Sequence, residues 1–182
     1  RPPRLPAPQA VAGKVAGAID GDTLRLDPDG SLRIWGIDAP ELHQRGWDRQ
    51  GQPVPIGRQA QQAAQADINS AESITLGNPV SRSYGRVVAP VGIDNSDLGL
   101  SITASGNALA APDYLSTDPA RRFSYMQAER LARLNRLGLH NTFSQTPAQF
   151  RADPGYRPER ETIARFWDTP TPFAGLRPED EQ

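Results

Sequence analysis

The chain has no cysteine and only two histidines among its 182 residues. Without cysteine the protein forms no disulfide and offers no thiolate to a metal ion, and two isolated histidines are too few for an imidazole cluster. A metal ion bound by this sequence must therefore have oxygen ligands. The lack of cysteine is compatible with a reducing or an oxidising compartment.

The sequence also lacks a long apolar run and a strong net charge. No stretch approaches the ~18 apolar residues of a membrane-spanning helix. The formal net charge is -1, so the molecule as a whole does not attract polyanions. Of its 20 basic residues, 19 are arginine, whose guanidinium binds two phosphate oxygens at once, although genomic base composition is the alternative explanation for that excess. Any affinity for nucleic acid must come from locally placed charges.

The length of the chain suits one domain with extensions. Proline-rich residues 1–10 predict an extended N-terminal arm, and residues 11–144 carry the apolar and turn patterns of a folded domain. Residues 145–182, again rich in proline, predict a tail that is partly draped on the core, with a brief helical pattern only at residues 160–167. We interpret residues 41–56 as a polar, mobile surface loop.

The distribution of β-forming and helix-forming residues predicts an α+β fold. Strands are expected at residues 15–19, 23–26, 32–37, 73–76 and 86–93, with a tight turn at residues 27–30. Helices are expected at residues 57–69 and 121–137, and Asp97 is suited to cap a short third helix. Five short strands with about three helices indicate a five-stranded barrel of the oligonucleotide-binding (OB) type.

Two sequence motifs concentrate carboxylates and a guanidinium. A D-G-D-T motif at residues 20–23 is followed by R-x-x-G-I-D-A-P-E at residues 33–41, so Asp22, Asp38, Glu41 and Arg33 lie at the ends of neighbouring predicted strands. Pro40 keeps the residue before it extended, which fixes the direction of the chain between Asp38 and Glu41.

These residue types suit phosphodiester cleavage. Two aspartates and a carbonyl oxygen are hard ligands that favour calcium or magnesium over zinc, and a glutamate beside the metal can take a proton from water. Arg33 and a second arginine can bind the nonbridging phosphate oxygens, where negative charge accumulates in the transition state. Isolated Asp-Gly-Asp triplets are usually only turns, so the argument depends on the whole constellation.

The order and spacing of these motifs resemble the staphylococcal nuclease (thermonuclease-like) family. The resemblance continues through Ser-Tyr-Gly-Arg at residues 83–86, Gly-Asn-Ala-Leu-Ala at residues 106–110, Tyr114 and Ala-Glu-Arg-Leu-Ala-Arg at residues 128–133, and it covers residues 11–144. It implies a thermonuclease-like OB-fold nuclease domain. Three departures are a longer loop after Glu41, Ser83 in place of a common lysine, and His140 in place of a common tryptophan.

The resemblance implies a role for each site residue. Arg33, Glu41 and Arg86 would be catalytic, with Glu41 as general base. Asp22, Asp38 and the backbone carbonyl of Ala39 would bind Ca²⁺, although coordination chemistry alone also admits Mg²⁺ or Mn²⁺. Tyr84 and Tyr114 would contact the nucleotide, with packing at the barrel mouth as the equal alternative.

The expected partner is therefore DNA or RNA, cut preferentially in single-stranded regions, and the expected products carry 3′-phosphates. The alternative is a non-catalytic OB-fold module that binds nucleic acid or peptide. The family type and the polar, proline-rich start lead us to expect a secreted or periplasmic protein. The sequence leaves the oligomeric state open.

Several nearby residues have structural interpretations. We expect Asp20 to stabilise the turn, His43 to lie on the loop surface, and Phe166 and Trp167 to anchor the tail. In the second helix the apolar residues lie mostly on one face, namely Phe123, Met126, Leu131, Leu134 and Leu137. We expect Arg130, Arg133 and Arg136 to form a solvated face that pairs with Glu129.

Overall fold

A computed structural model describes residues 10–83 and 86–169 of the chain. The strands in these residues are β1 Lys14–Ala18, β2 Thr23–Asp27, β3 Ser31–Ile34, β4 Ile37–Asp38, β5 Gly46–Trp47, β6 Pro53–Val54, β7 Ile74–Leu76, β8 Ser81–Ser83, β9 Arg86–Ala89, β10 Val91–Ile93, β11 Ser96–Asp97 and β12 Leu109–Ala110. The α-helices are α1 Ile56–Ser70, α2 Leu98–Ala104, α3 Pro119–Leu134, α4 Pro147–Ala152 and α5 Arg160–Asp168. Short 3-10 turns lie at Pro112–Leu115 and Gly138–Asn141.

The central sheet has five strands in the order β1-β2-β3-β9-β8. The strands β1, β2 and β3 form the predicted antiparallel meander, and β9 pairs parallel to β3. Leu24, Leu32 and Ile34 are fully buried on the core face of this sheet, as the alternation of apolar residues predicts. The opposite face carries polar side chains at the intervening positions.

The prediction of a mixed α+β fold is confirmed, but the described strands do not form one closed barrel. They fall into a five-stranded, a three-stranded and two two-stranded sheets. Pro90 separates β9 from β10, and as a proline it has no N–H to continue the ladder. The chain therefore leaves the central sheet at Pro90 and joins β7 and β11 in the three-stranded sheet.

The first two helices match their predictions closely. Helix α1 covers the expected range, and the Asp97 side chain accepts a hydrogen bond from the backbone N–H of Gly99 at the start of α2, 3.0 Å away. An Asp at the N-cap satisfies one of the N–H groups that have no partner inside a helix.

The apolar residues of α3 do not form its buried face. Phe123, Leu131 and Leu134 are exposed, and the buried residues of α3 are instead Tyr125, Ala128, Glu129 and Ala132. Tyr125 packs so closely on Gly99 of α2 that a Cβ atom at Gly99 would overlap the phenol ring. Small side chains and this close contact decide which face of α3 meets α2.

The described part of the chain contains five α-helices rather than about three, because α4 and α5 lie in residues interpreted as a proline-rich tail. Thr146 and Gln149 form a reciprocal capping box with Pro147 in the first turn, and these signals start α4. Helix α5 buries Ile163, and Phe166 contacts Phe143 with ring centroids 5.4 Å apart.

The interpretation of residues 41–56 as an exposed polar loop is also wrong. Gln44 and Trp47 are buried, and β5 pairs with β6 in a small hairpin. Backbone hydrogen bonds of 2.8 Å in both directions join Trp47 to Phe143. This segment is therefore built into the body of the protein.

None of the helices in residues 10–83 and 86–169 is both long enough and apolar enough to cross a bilayer.

Candidate active site

The turn between β1 and β2 places Asp22 inside the protein. Asp20 accepts a hydrogen bond from the Asp22 backbone N–H at 3.0 Å, so the turn-stabilising role expected for Asp20 is confirmed. The Asp22 carboxylate accepts a hydrogen bond from the backbone N–H of Ala39 at 2.8 Å and one from the Thr23 hydroxyl at 3.0 Å. Gly21 has no room for a side chain between Ala39 and Ala60, which lets the turn approach α1.

Burial gives Asp22 an unusual protonation behaviour. Its side chain is only 6% exposed, and this desolvation, together with the charge of Asp20, raises the pKa of Asp22 to about 7. Arg33 and the Ala39 N–H act in the opposite direction, because both stabilise the carboxylate. The site thus holds a buried carboxylate whose charge is incompletely compensated by the protein itself.

Arg33 and Arg86 project from the same face of the central sheet. In the parallel pairing of β3 with β9, Arg33 is opposite Val88 and Arg86 is opposite Ser31, so the two arginines are two positions apart on adjacent strands. The Arg33 Nη2 atom lies 3.2 Å from Asp38 Oδ1 and 3.6 Å from Asp22 Oδ2. No ion pair joins Arg86 to a carboxylate in the described part of the chain.

Asp38 is held at the end of β4 by a chain of contacts that reaches α3. In the β4–β12 pair Leu109 is opposite Asp38, and the next residue, Ala110, donates its backbone N–H to the buried Glu129 carboxylate at 2.9 Å. Arg133 pairs with the same carboxylate at 3.1 Å, as predicted. Glu129 therefore holds β12, the strand that pairs with β4.

Arg136 makes a contact that differs from the predicted pairing with Glu129. Its guanidinium lies over the Trp167 ring, 4.7 Å from the centroid. This cation–π contact and the Phe143–Phe166 contact secure α5, in agreement with the expected anchoring role of Phe166 and Trp167.

Glu41 is positioned by two residues that follow it in the chain. The buried Gln44 side chain accepts a hydrogen bond from the Glu41 backbone N–H at 3.1 Å, and the Gln44 backbone N–H donates to the Glu41 carbonyl at 2.8 Å. The first turn of α1 presses against the same segment, because a Cβ atom at Gly57 would overlap the Glu41 carbonyl oxygen.

Arg151 of α4 also contacts the carboxylates of this site. Its Nη1 atom lies 2.7 Å from Glu41 Oε1, and its Nη2 atom lies 3.4 Å from Asp38 Oδ2. The hydrogen bond to Glu41 is the largest of the effects that raise the pKa of Arg151 above its ordinary value. One guanidinium therefore joins the expected general base to an expected metal ligand.

These side chains share one open cavity of about 700 Å³. Its lining includes Asp22, Arg33, Asp38, Glu41, Arg86, Tyr114 and Arg151. The Tyr114 side chain is 72% exposed, so it does not pack in the core, while its carbonyl accepts a hydrogen bond from the Trp35 indole. Tyr84 lies outside the described residues. His43 is exposed, as expected.

The donor atoms fit a hard divalent cation in their chemistry. Asp22 and Asp38 carry carboxylate oxygens, and the incompletely compensated burial of Asp22 favours a positive partner. The backbone carbonyl of Ala39 is the expected third donor. In residues 10–83 and 86–169, no three carboxylate or imidazole side chains gather into a ready-made metal cluster. Arginines are interleaved with the carboxylates instead.

The sequence interpretation did not identify Gln44, Gly57 or Arg151 as parts of the site. The signal for α4 was present, since Thr146, Pro147 and Gln149 form a start signal for a helix. Nothing local to Gln44 or Gly57 distinguishes them from other loop and helix residues. Their roles depend on contacts with residues distant in the sequence, such as that of Gln44 with Gln145.

Comparison with known proteins supports the resemblance carried by the motifs. The chain is 27% identical over 147 residues to Uncharacterized protein MJ1439 of Methanocaldococcus jannaschii, with 71% of each chain covered. Residues 31–142 match the family model described as Staphylococcal nuclease homologue, and this range includes Arg33, Asp38, Glu41 and Arg86. Asp22 precedes the matched range, and Arg151 follows it. Because the match covers more than half of the chain, the protein belongs to the staphylococcal nuclease homologue family.

Proposed function

We propose that the protein is a calcium-dependent nuclease that hydrolyses phosphodiester bonds of DNA or RNA. The observation that carries the proposal is that Asp22, Asp38 and Glu41 line one open cavity together with Arg33 and Arg86. A cation site beside two guanidinium groups is suited to a phosphate diester, which carries one negative charge in the ground state and gains more in the transition state.

The cation would be held by Asp22, Asp38 and the Ala39 carbonyl. When bound, it would supply positive charge beside the phosphate and compensate the buried Asp22 carboxylate. We propose calcium because the family is typically calcium-dependent, and the oxygen donors also accept magnesium or manganese. The OB-like arrangement of β1, β2, β3 and β9 also supports a phosphate site, because it brings Arg33 and Arg86 to one face of the central sheet.

Arg33, Arg86 and Glu41 have different roles in the proposed reaction. Arg33 and Arg86 donate hydrogen bonds to nonbridging oxygens and orient the phosphorus toward a water molecule near Glu41. Glu41 takes a proton from that water as its oxygen bonds to phosphorus. The bond from phosphorus to the 5′ oxygen then breaks, and this oxygen takes a proton from solvent. The products are a 3′-phosphate and a 5′-hydroxyl.

The test is cleavage of a labelled single-stranded oligonucleotide and of a matched rigid duplex, with calcium and then with chelator. The proposal predicts calcium-dependent cleavage with 3′-phosphate ends. It also predicts slower cutting of the duplex, because a stacked strand presents its phosphates less readily to a pocket. Cleavage that continues in chelator would overturn the metal assignment.

The second candidate is a non-catalytic module that binds nucleic acid or peptide. The pairing of Arg151 with both Asp38 and Glu41 favours it, because the same carboxylates cannot serve a guanidinium and the reaction at once. Oligonucleotide binding without cleavage under any divalent cation would support this candidate over the nuclease.

A further inference from the structure

Arg151 forms the most extensive contact between the C-terminal helices and the carboxylates of the site. Its Nη1 atom lies 2.7 Å from Glu41 Oε1 and 3.4 Å from Asp38 Oδ1, while Nη2 lies 3.4 Å from Asp38 Oδ2. The guanidinium therefore spans two carboxylates with its planar fork, a geometry that a lysine ammonium cannot reproduce.

The position of Arg151 is built into the fold. Gln44 is buried, and its side chain accepts from the Glu41 N–H while donating to the Gln145 carbonyl at 2.8 Å. Gln145 directly precedes Thr146, the capping residue of α4. The Gln44 side chain thus links the Glu41 backbone to the residue that precedes α4. It therefore holds both segments that form the Glu41–Arg151 ion pair.

The carboxylates that Arg151 occupies are those that a cation would need. A guanidinium and a divalent cation both require the oxygens of Asp38, and each cation repels the other at short distance. Arg33 also pairs with Asp22 and Asp38, and the contact that distinguishes Arg151 is the additional ion pair with Glu41.

From these contacts we propose that Arg151 is an internal competitor of the divalent cation: its guanidinium holds Asp38 and Glu41 until a bound cation displaces it. This inference rests on the proposed function, since it takes Asp38 as a cation ligand. Displacement frees Glu41 to accept a proton and releases a guanidinium at the edge of the cavity. The C-terminal segment would thereby set the calcium concentration at which the site becomes competent.

The test is a calorimetric titration of the full chain with calcium chloride, comparing wild type with Arg151→Gln. Loss of two partly exposed ion pairs should tighten the calcium dissociation constant by about threefold to fivefold. Arg157→Gln is the matched control. It removes an equal charge from the same segment, but the Arg157 guanidinium donates to the Tyr156 carbonyl rather than to a site carboxylate. Its calcium affinity should stay close to that of wild type.

A second readout follows the guanidinium itself. In wild-type protein the NMR signal of the Arg151 side-chain N–H should shift during the calcium titration and saturate with the calorimetric isotherm, because the group changes partners. The Arg157 signal should not move. Both readouts are independent of cleavage.

The outcomes separate this inference from the proposed function. Equal calcium affinity in wild type and Arg151→Gln, or weaker affinity in the variant, would overturn the competition while leaving the nuclease proposal intact. If neither protein binds calcium, magnesium or manganese, the metal site fails and the competition fails with it. Tighter calcium binding by Arg151→Gln, with no such change in Arg157→Gln, supports the competition even if no oligonucleotide is cleaved.

Discussion

The Asp22 carboxylate accepts a hydrogen bond from the backbone N–H of Ala39, 2.8 Å away. This bond fastens the turn between β1 and β2 to the segment that follows β4. Two of the expected cation ligands are therefore connected directly, although they come from different motifs. A change at either residue therefore alters a hydrogen bond that the other residue makes.

The raised pKa of Asp22 predicts a specific pH dependence of stability when cations are removed by chelator. The folded pKa is about 7, whereas aspartate in an unfolded chain titrates near ~3.9. The folded state thus binds the proton more tightly, and this contribution to the free energy of unfolding is lost as the pH rises from about 4 through 7. Asp22→Asn removes the titration. Its melting temperature relative to wild type should therefore improve by roughly 10 °C between pH 4 and pH 8. A constant difference across that range would contradict the assignment.

Arg33→Lys and Arg86→Lys each keep the charge but remove the planar fork. If both arginines bind phosphate oxygens in the transition state, each variant should lose roughly 10²-fold or more in turnover, about 3 kcal/mol, with a smaller change in substrate binding. Steady-state kinetics on a defined oligonucleotide measures this division. Loss of binding with unchanged turnover would reduce the arginines to anchors.

Glu41→Gln and Asp38→Asn should fail in different ways. Glu41→Gln removes the base without changing its volume much, so turnover should fall by about 10²-fold or more while calcium affinity changes little. Asp38→Asn should weaken calcium binding directly. The comparison requires calcium calorimetry and turnover at saturating calcium for each variant. Near-normal turnover of Glu41→Gln under those conditions would remove Glu41 from the role of base.

Gly57→Ala should impair the site through the backbone. The added Cβ would overlap the Glu41 carbonyl oxygen, so the segment that carries the base must move. Turnover should drop by about tenfold or more, even though alanine favours a helix by ~1 kcal/mol over glycine. Gly155→Ala is the control, because the nearest atom to its added Cβ is 3.9 Å away. Equal turnover in the two variants would show that Glu41 is not held by this contact.

The C-terminal helix α5 should contribute measurably to stability. Ile163→Ala removes a side chain that is 5% exposed and should lower the free energy of unfolding by about 2–4 kcal/mol. Leu131→Ala, at an exposed position of α3, should change it by less than ~1 kcal/mol. Urea denaturation measures both. A small loss for Ile163→Ala would show that residues after α4 are not part of the cooperative unit.

The sequence alone determined the features that depend on local periodicity and motif order. Alternation along β3 is enough to place Leu32 and Ile34 on the core face and Arg33 on the other, because side chains at alternate strand positions point the same way. The helix α1 and the capping of α2 by Asp97 were likewise predictable from neighbouring residues. So was the identity of the family, since its motifs are short and keep their order along the chain.

Only the tertiary structure decided which residues that are distant in the sequence come into contact. Arg151 and Glu41 are 110 positions apart in the chain, and no local pattern joins them. The buried face of α3 followed from the close contact of Tyr125 with Gly99 rather than from the apolar stripe, because packing against a neighbouring helix depends on shape as well as on hydrophobicity. The division of the strands into separate sheets was also decided by the tertiary structure. At Pro90 the chain leaves the central sheet after β9 and joins the three-stranded sheet as β10.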